Sequence, residues 1–76
     1  SKTLNLYTVE SNISKKLGNI QKKYKKDIEI GSYPFFRLGK IGVAVVTRSV
    51  LPTKLKKVNS ELLKLAKQKK IKILKT

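Results

Sequence analysis

At 76 residues the chain forms one small domain, spanning residues 1–76, with little stability to spare; a domain of this size buries only about 60% of its unfolded surface. It lacks cysteine and histidine, and its carboxylates are Glu10, Asp27, Glu29 and Glu61. That inventory excludes disulfides and leaves too few groups for most acid–base, nucleophilic or metal-dependent schemes, so no catalytic residue, cofactor or metal site is expected. A formal net charge of +15 raises a nucleic-acid partner. Only Arg37 and Arg48 among the nineteen basic residues are arginine, however, and the lysines run through the whole chain. Lysine is a solvated point charge, without the planar fork that reads phosphates and bases, so solvated helix faces are the simpler reading. No apolar run approaches the ~20 residues of a membrane span, and no leader pattern opens the chain, so a cytoplasmic protein with no membrane partner is expected.

In chain order, "KTLNLYTVE" alternates, with Leu4 and Leu6 on one face and Asn5, Tyr7 and Val9 on the other, which predicts a strand. "ESNIS" offers Ser11 or Asn12 as a helix N-cap, with Glu10 beside the positive helix end. Ile13, Leu17, Ile20 and Tyr24 then recur at helical spacing, with lysines opposite. "DIEIGSY" returns to period two. Gly31 predicts a bulge, and Pro34 confines this strand to a sheet edge or ends it. After a turn around Leu38 to Lys40, "GVAVV" has no polar face and predicts a strand buried on both sides. Pro52 suits the first position of a second helix whose stripe is Leu55, Val58, Leu62 and Leu65, widened by Ala66. "IKILK" closes the chain as a short strand, its Lys72 and Lys75 discouraging pairing with another chain.

The order βαββαβ has a favoured solution among α+β folds. Two right-handed split units give a ferredoxin-like two-layer sandwich: a four-stranded antiparallel sheet, order 4-1-3-2, with both helices on one face. RNA-recognition domains share this topology and stack bases on rings of their first and third strands. The third strand here presents Val43, Val45 and Thr47, which leaves Tyr7 as the sole aromatic on the sheet and no stacking platform. "GKIG", Gly39 to Gly42, has the GxxG form of a phosphate-gripping loop but lies between strands, where a hairpin turn calls for glycine anyway. "GSYPFFR" holds both phenylalanines and one tyrosine. An edge strand that ends there, kinked at Gly31 and Pro34, lets Phe35 and Phe36 cover one end of the core. Adjacent rings cannot all face one way, so at least one is expected to meet a partner.

Taken together, Glu10-Ser11, Leu17, Ile20-Gln21, "IGSYPFF" at 30–36 and "VVTRS" at 45–49 resemble one known arrangement. It is the small α+β domain, KH-like in topology, that follows the molybdopterin-binding-like domain in the competence/damage-inducible protein A family. The same domain occurs in the amino-terminal half of FAD synthases. The resemblance implies a non-catalytic accessory domain whose larger, molybdopterin-binding-like neighbour acts on nucleotide or dinucleotide pyrophosphates. It further implies that this domain packs on that neighbour, supports its homodimer or helps close its cleft. On this reading Ser32, Tyr33, Pro34, Phe35, Phe36 and Arg37 form the docking corner, and Arg37, Gly39 and Lys40 are candidate phosphate contacts. The excess of lysine and the lack of an acidic residue in "SVLPTK" depart from the family pattern. The alternative reading is a basic nucleic-acid-binding module that uses lysine-rich helix faces.

Overall fold

The computed structural model describes residues 1–74 and contains the expected six elements. Strand β1 (Lys2–Tyr7) leads to helix α1 (Glu10–Tyr24) and a single 3-10 turn at Lys25–Asp27. Strands β2 (Glu29–Arg37) and β3 (Lys40–Arg48) form a hairpin, followed by helix α2 (Pro52–Gln68) and strand β4 (Lys72–Leu74). All strand pairs are antiparallel, in the order β2-β3-β1-β4. This is the α+β architecture anticipated from the order of elements. Lys75 lies outside the described residues.

The core lies between the helices and one face of the sheet. Leu6, Val43 and Val45 come from the two central strands and meet Ile13, Leu17 and Ile20 of α1 and Val58, Leu62 and Ala66 of α2. Each helix buries the middle of the stripe its spacing defined, leaving Tyr24 and Leu55 at the stripe ends half-buried, and turns most of its lysines to solvent. Thr47 is the buried polar side chain of this layer, and no buried side-chain polar atom among the described residues lacks a hydrogen-bond partner.

Four local expectations are corrected. Ser11 and Asn12 do not cap α1: the helix starts at Glu10 after an extended Val9, and Asn12 Nδ2 donates to Thr8 Oγ1 at 2.9 Å from inside the first turn. Gly31 makes no bulge, because β2 and β3 pair one for one from Glu29↔Arg48 to Arg37↔Lys40. Nor does β2 end at Pro34: of the two readings of that proline the edge position holds, and the strand runs on to Arg37, with a trans Tyr33–Pro34 bond. Finally, β3 is covered on one side only. Val43, Val45 and Thr47 are fully buried under the helices, whereas Ala44 and Val46 are half-buried on the other side of the sheet. Their apolar character mimicked a two-sided strand.

Pro34 is tolerated because of where its nitrogen points. In an antiparallel edge strand, alternate N–H groups face the partner strand and the open rim. The Ile30 N–H points to the rim, where it donates to Gln21 Oε1 at 2.8 Å. By the same alternation position 34 faces the rim too, so proline removes no ladder bond there. Gln21 fastens the other end of the turn as well: its Nε2 donates to the carbonyls of Lys25 and Ile28. One carboxamide thus ties the end of α1 to the start of β2.

Candidate functional site

The stretch from Ser32 to Arg37 is itself strand, so its side chains divide by period two between two surfaces. Ser32, Pro34 and Phe36 lie on the helix side; Tyr33, Phe35 and Arg37 lie on the open side. The six residues do not make one corner. Phe35 and Phe36 also do not cap the core together, since they point in opposite directions.

On the open side, the register places Tyr33 opposite Ala44 and Phe35 opposite Gly42. Across the sheet, Asn5 is opposite both Ala44 and Leu74, and Tyr7 is opposite Lys72. Tyr7 is therefore not the sole aromatic on the sheet; Tyr33 and Phe35 share its face. The two strand glycines explain how the rings lie. A Cβ on Gly42 would sit 2.3–2.8 Å from three carbons at the tip of the Phe35 ring, and one on Gly31 would sit 2.9 Å from the Tyr33 hydroxyl and 3.1 Å from its ring edge. Each ring lies against glycine backbone, and the bed is tightest at Gly42, where any side chain would displace the Phe35 ring. Tyr7 and Phe35 have centroids 6.5 Å apart at an interplanar angle of 59°, and Lys40 Nζ stands 5.2 Å from the Tyr7 centroid, a cation–π distance. Asn5, Ala44, Leu74, Phe35, Phe36 and Arg37 line a shallow pocket at this cluster.

At the end of the hairpin the chain turns through Leu38 and Gly39, with φ of 53° and 75°. Two consecutive positive φ values mark a type I′ turn, in which asparagine followed by glycine is the preferred pair. Gly39 meets that demand. Leu38 is a branched residue in the left-handed region, a conformation that costs roughly 1 kcal/mol. Its side chain is nevertheless 86% exposed. Phe36 (73% exposed) and its cross-strand partner Ile41 (56%) extend the apolar surface of the tip.

Several polar residues prominent in the sequence hold the scaffold together. Ser32 Oγ donates to Glu10 Oε1 at 3.3 Å, tying β2 to the start of α1. Ser49 Oγ donates to the Asp27 carbonyl at 2.7 Å and accepts from the Leu51 N–H at 3.0 Å. Lys54 pairs with the Asp27 carboxylate, and Lys23 with Glu61 at 3.1 Å. The Tyr24 hydroxyl donates to the other Glu61 oxygen. That bond is the main reason the Glu61 carboxyl titrates below its usual range; Lys23 and Lys64 act in the same direction, and partial desolvation opposes them. The same bond, with desolvation and the Glu61 charge, raises the Tyr24 hydroxyl. Of these residues, Gln21 carries a role that periodicity alone does not disclose, because its three bonds form only once strand and helix meet. Among the described residues no three His, Cys, Asp or Glu side chains gather as a metal site would require. Among the described residues no helix is long and apolar enough to cross a membrane.

A family described as "FAD synthase, middle domain" matches residues 1–75. No curated protein and no solved structure matches the chain.

Proposed function

The chain belongs to the FAD synthase middle-domain family, and from that premise we propose that it is a non-catalytic accessory domain that docks through its hairpin tip on a larger, molybdopterin-binding-like domain of a cytoplasmic nucleotide-handling protein. The larger domain acts on nucleotide or dinucleotide pyrophosphates. This chain contributes surface and position to it, consistent with its shortage of acid, base and nucleophilic groups.

The observation that carries the reading is Leu38. Folding is served better by asparagine at this turn position, in both conformation and solvation. A leucine that is strained and 86% exposed costs the isolated domain twice. Contact with another surface offsets both costs. Phe36 and Ile41 flank it, so the tip offers a compact apolar patch of the kind that marks an interface. Within the sequence-derived corner, Pro34 and Phe36 belong to this surface, Ser32 supports it through Glu10, and the remaining three residues belong to the opposite face.

Leu38→Asn tests the idea because it separates folding from docking. The variant is expected to be as stable as the parent, or up to about 1 kcal/mol more stable, in chemical denaturation. Its affinity for the larger domain of a family member, added in trans and followed by backbone chemical shifts, is expected to fall at least tenfold. Shifts that avoid residues 36–41, or unchanged affinity in the variant, would reject the tip as the docking surface.

A further inference from the structure

The open face of the sheet is not absorbed by the docking reading. Three aromatic side chains lie on it, two of them laid down on glycine backbone. A ring lying on the sheet gives one face to the backbone and turns the other to solvent. Tyr33 is 54% exposed, and the Lys40 ammonium stands over the half-buried Tyr7 ring. Burial does not explain this arrangement, because the helices cover the other side. Upright β-branched residues would cover the strands as well without requiring glycine at two positions of a hairpin, where glycine weakens a strand.

Charge on this face is also one-sided. By register Arg37, Lys40, Arg48 and Lys72 share it, and Glu29 is the acidic residue at its end. Lys72 is directly opposite Tyr7, and Lys40 stands over the same ring, so cations flank the aromatic cluster. Arg37 lines the pocket beside Phe35. Tyr33 and Phe35 alternate along β2, the Tyr33 ring lying toward Gly31 and the Phe35 ring across Gly42 of β3; by leaning over β3, Phe35 brings its ring centroid within 6.5 Å of that of Tyr7 on β1.

The geometry points to a binding site for single-stranded nucleic acid on the open sheet face. Bases would stack on Tyr33, Phe35 and Tyr7, and the phosphates between them would be met by Arg37, Lys40, Lys72 and Arg48. Planar π-faces spaced along a sheet and flanked by cations are what unpaired bases joined by phosphates recognise. The row spans more than one base, and its cations extend past both ends, which favours a strand over a single nucleotide. Lys40 leaves the Tyr7 ring as a base replaces it and moves to the adjoining phosphate. The proposal stands independently of docking at the tip, since the two use opposite faces of β2.

The test is titration of the labelled 76-residue chain with an oligothymidylate of ~12 nucleotides. Ring protons of Tyr7, Tyr33 and Phe35 are expected to move upfield. Gly42→Ala, which lifts the Phe35 ring without changing any charge, is expected to weaken binding about 5- to 150-fold, the range for one stacked base. The dependence of log K on log salt, about −0.7 per neutralised phosphate, should not change in the variant. If that variant fails to fold, Tyr33→Leu gives the same readout from an exposed position. Leu38→Asn should leave oligonucleotide affinity unaltered, so failure here and failure of docking are separable. No binding, equal affinity for inorganic polyphosphate of matched charge, or ring resonances that do not move would each overturn the proposal. The last two outcomes identify attraction by the lysine-rich helix faces alone.

Discussion

Leu6 and Tyr7 are neighbours on one strand and belong to different regimes. Leu6 points into the helix-covered layer and is fully buried, in one core cluster with buried side chains of α1, β3 and α2. Tyr7 points to the uncovered layer, where it meets one ring and two lysines. The first layer is organised by volume, because a close-packed interior registers every methylene. The second is organised by orientation, because its rings need a bed and a free side. The same backbone supports both, and only the second has a reason to keep glycine inside its strands.

Breaking the contrast starts with Leu6→Ala. Loss of a fully buried leucine is expected to cost about 2–5 kcal/mol, a large share of what a domain this small possesses. Tyr7→Leu should cost about 1 kcal/mol, the scale of one aromatic pair. Urea denaturation of the two variants checks the difference; equal losses would mean that the open layer is core after all. Next in size is Gln21→Leu, expected at about 2 kcal/mol because it strands a half-buried backbone donor at Ile30 and two carbonyls. Hydrogen exchange at the Ile30 amide should quicken in this variant, and an unchanged rate would show that another group covers the rim.

An effect as small as that of Tyr7→Leu sharpens the helix side. Glu61 has a folded-state pKa below its unfolded value, so its contribution is complete above the ordinary carboxylate pKa of about 4.3 and is lost as pH falls through the lowered folded value. Tyr24 is raised, so its share holds below the ordinary tyrosine value and disappears as pH climbs through the elevated one. Tyr24→Phe is therefore expected to cost about 1 kcal/mol near neutral pH and to flatten both limbs of the stability–pH curve. Melting temperatures measured across pH check this; parallel curves for parent and variant would refute the coupling.

Much of the helix side was legible in the sequence. Spacing of Ile13, Leu17 and Ile20, and of Val58, Leu62 and Leu65, is a physical constraint of helices on a sheet and identified the buried stripes, while the order of the six elements gave the strand order. The open face was harder, for a specific reason. Proline at 34 reads as a strand end, and stopping there hides the alternation Gly31, Tyr33, Phe35, Arg37 that continues through it. A rim-facing nitrogen makes proline harmless, but which way that nitrogen points depends on Gln21 and the sheet order, neither of which is local. Gly42 is similar: next to a turn it passes for turn chemistry, and only the cross-strand register shows Phe35 lying over it. The family relation to FAD synthases was visible chiefly in Gly31-Ser32-Tyr33-Pro34, with the shorter words "ES", "IQ" and "RS" around it. Glu10, Gln21 and Ser49 from those words make tertiary hydrogen bonds, which accounts for their place in a recognisable pattern.

The rim of β2 has a consequence for how the domain coexists with its neighbours. Of its outward amide positions, the one at Ile30 is already occupied and the one at Pro34 carries no hydrogen. An incoming chain finds no continuous run of donors to zip against, so extension of the sheet into a shared ribbon is blocked from this flank. A module fused beside other folding units is crowded by nascent, unpaired segments at the moment of synthesis, and this flank lets the domain sit among them without being drafted into their sheets.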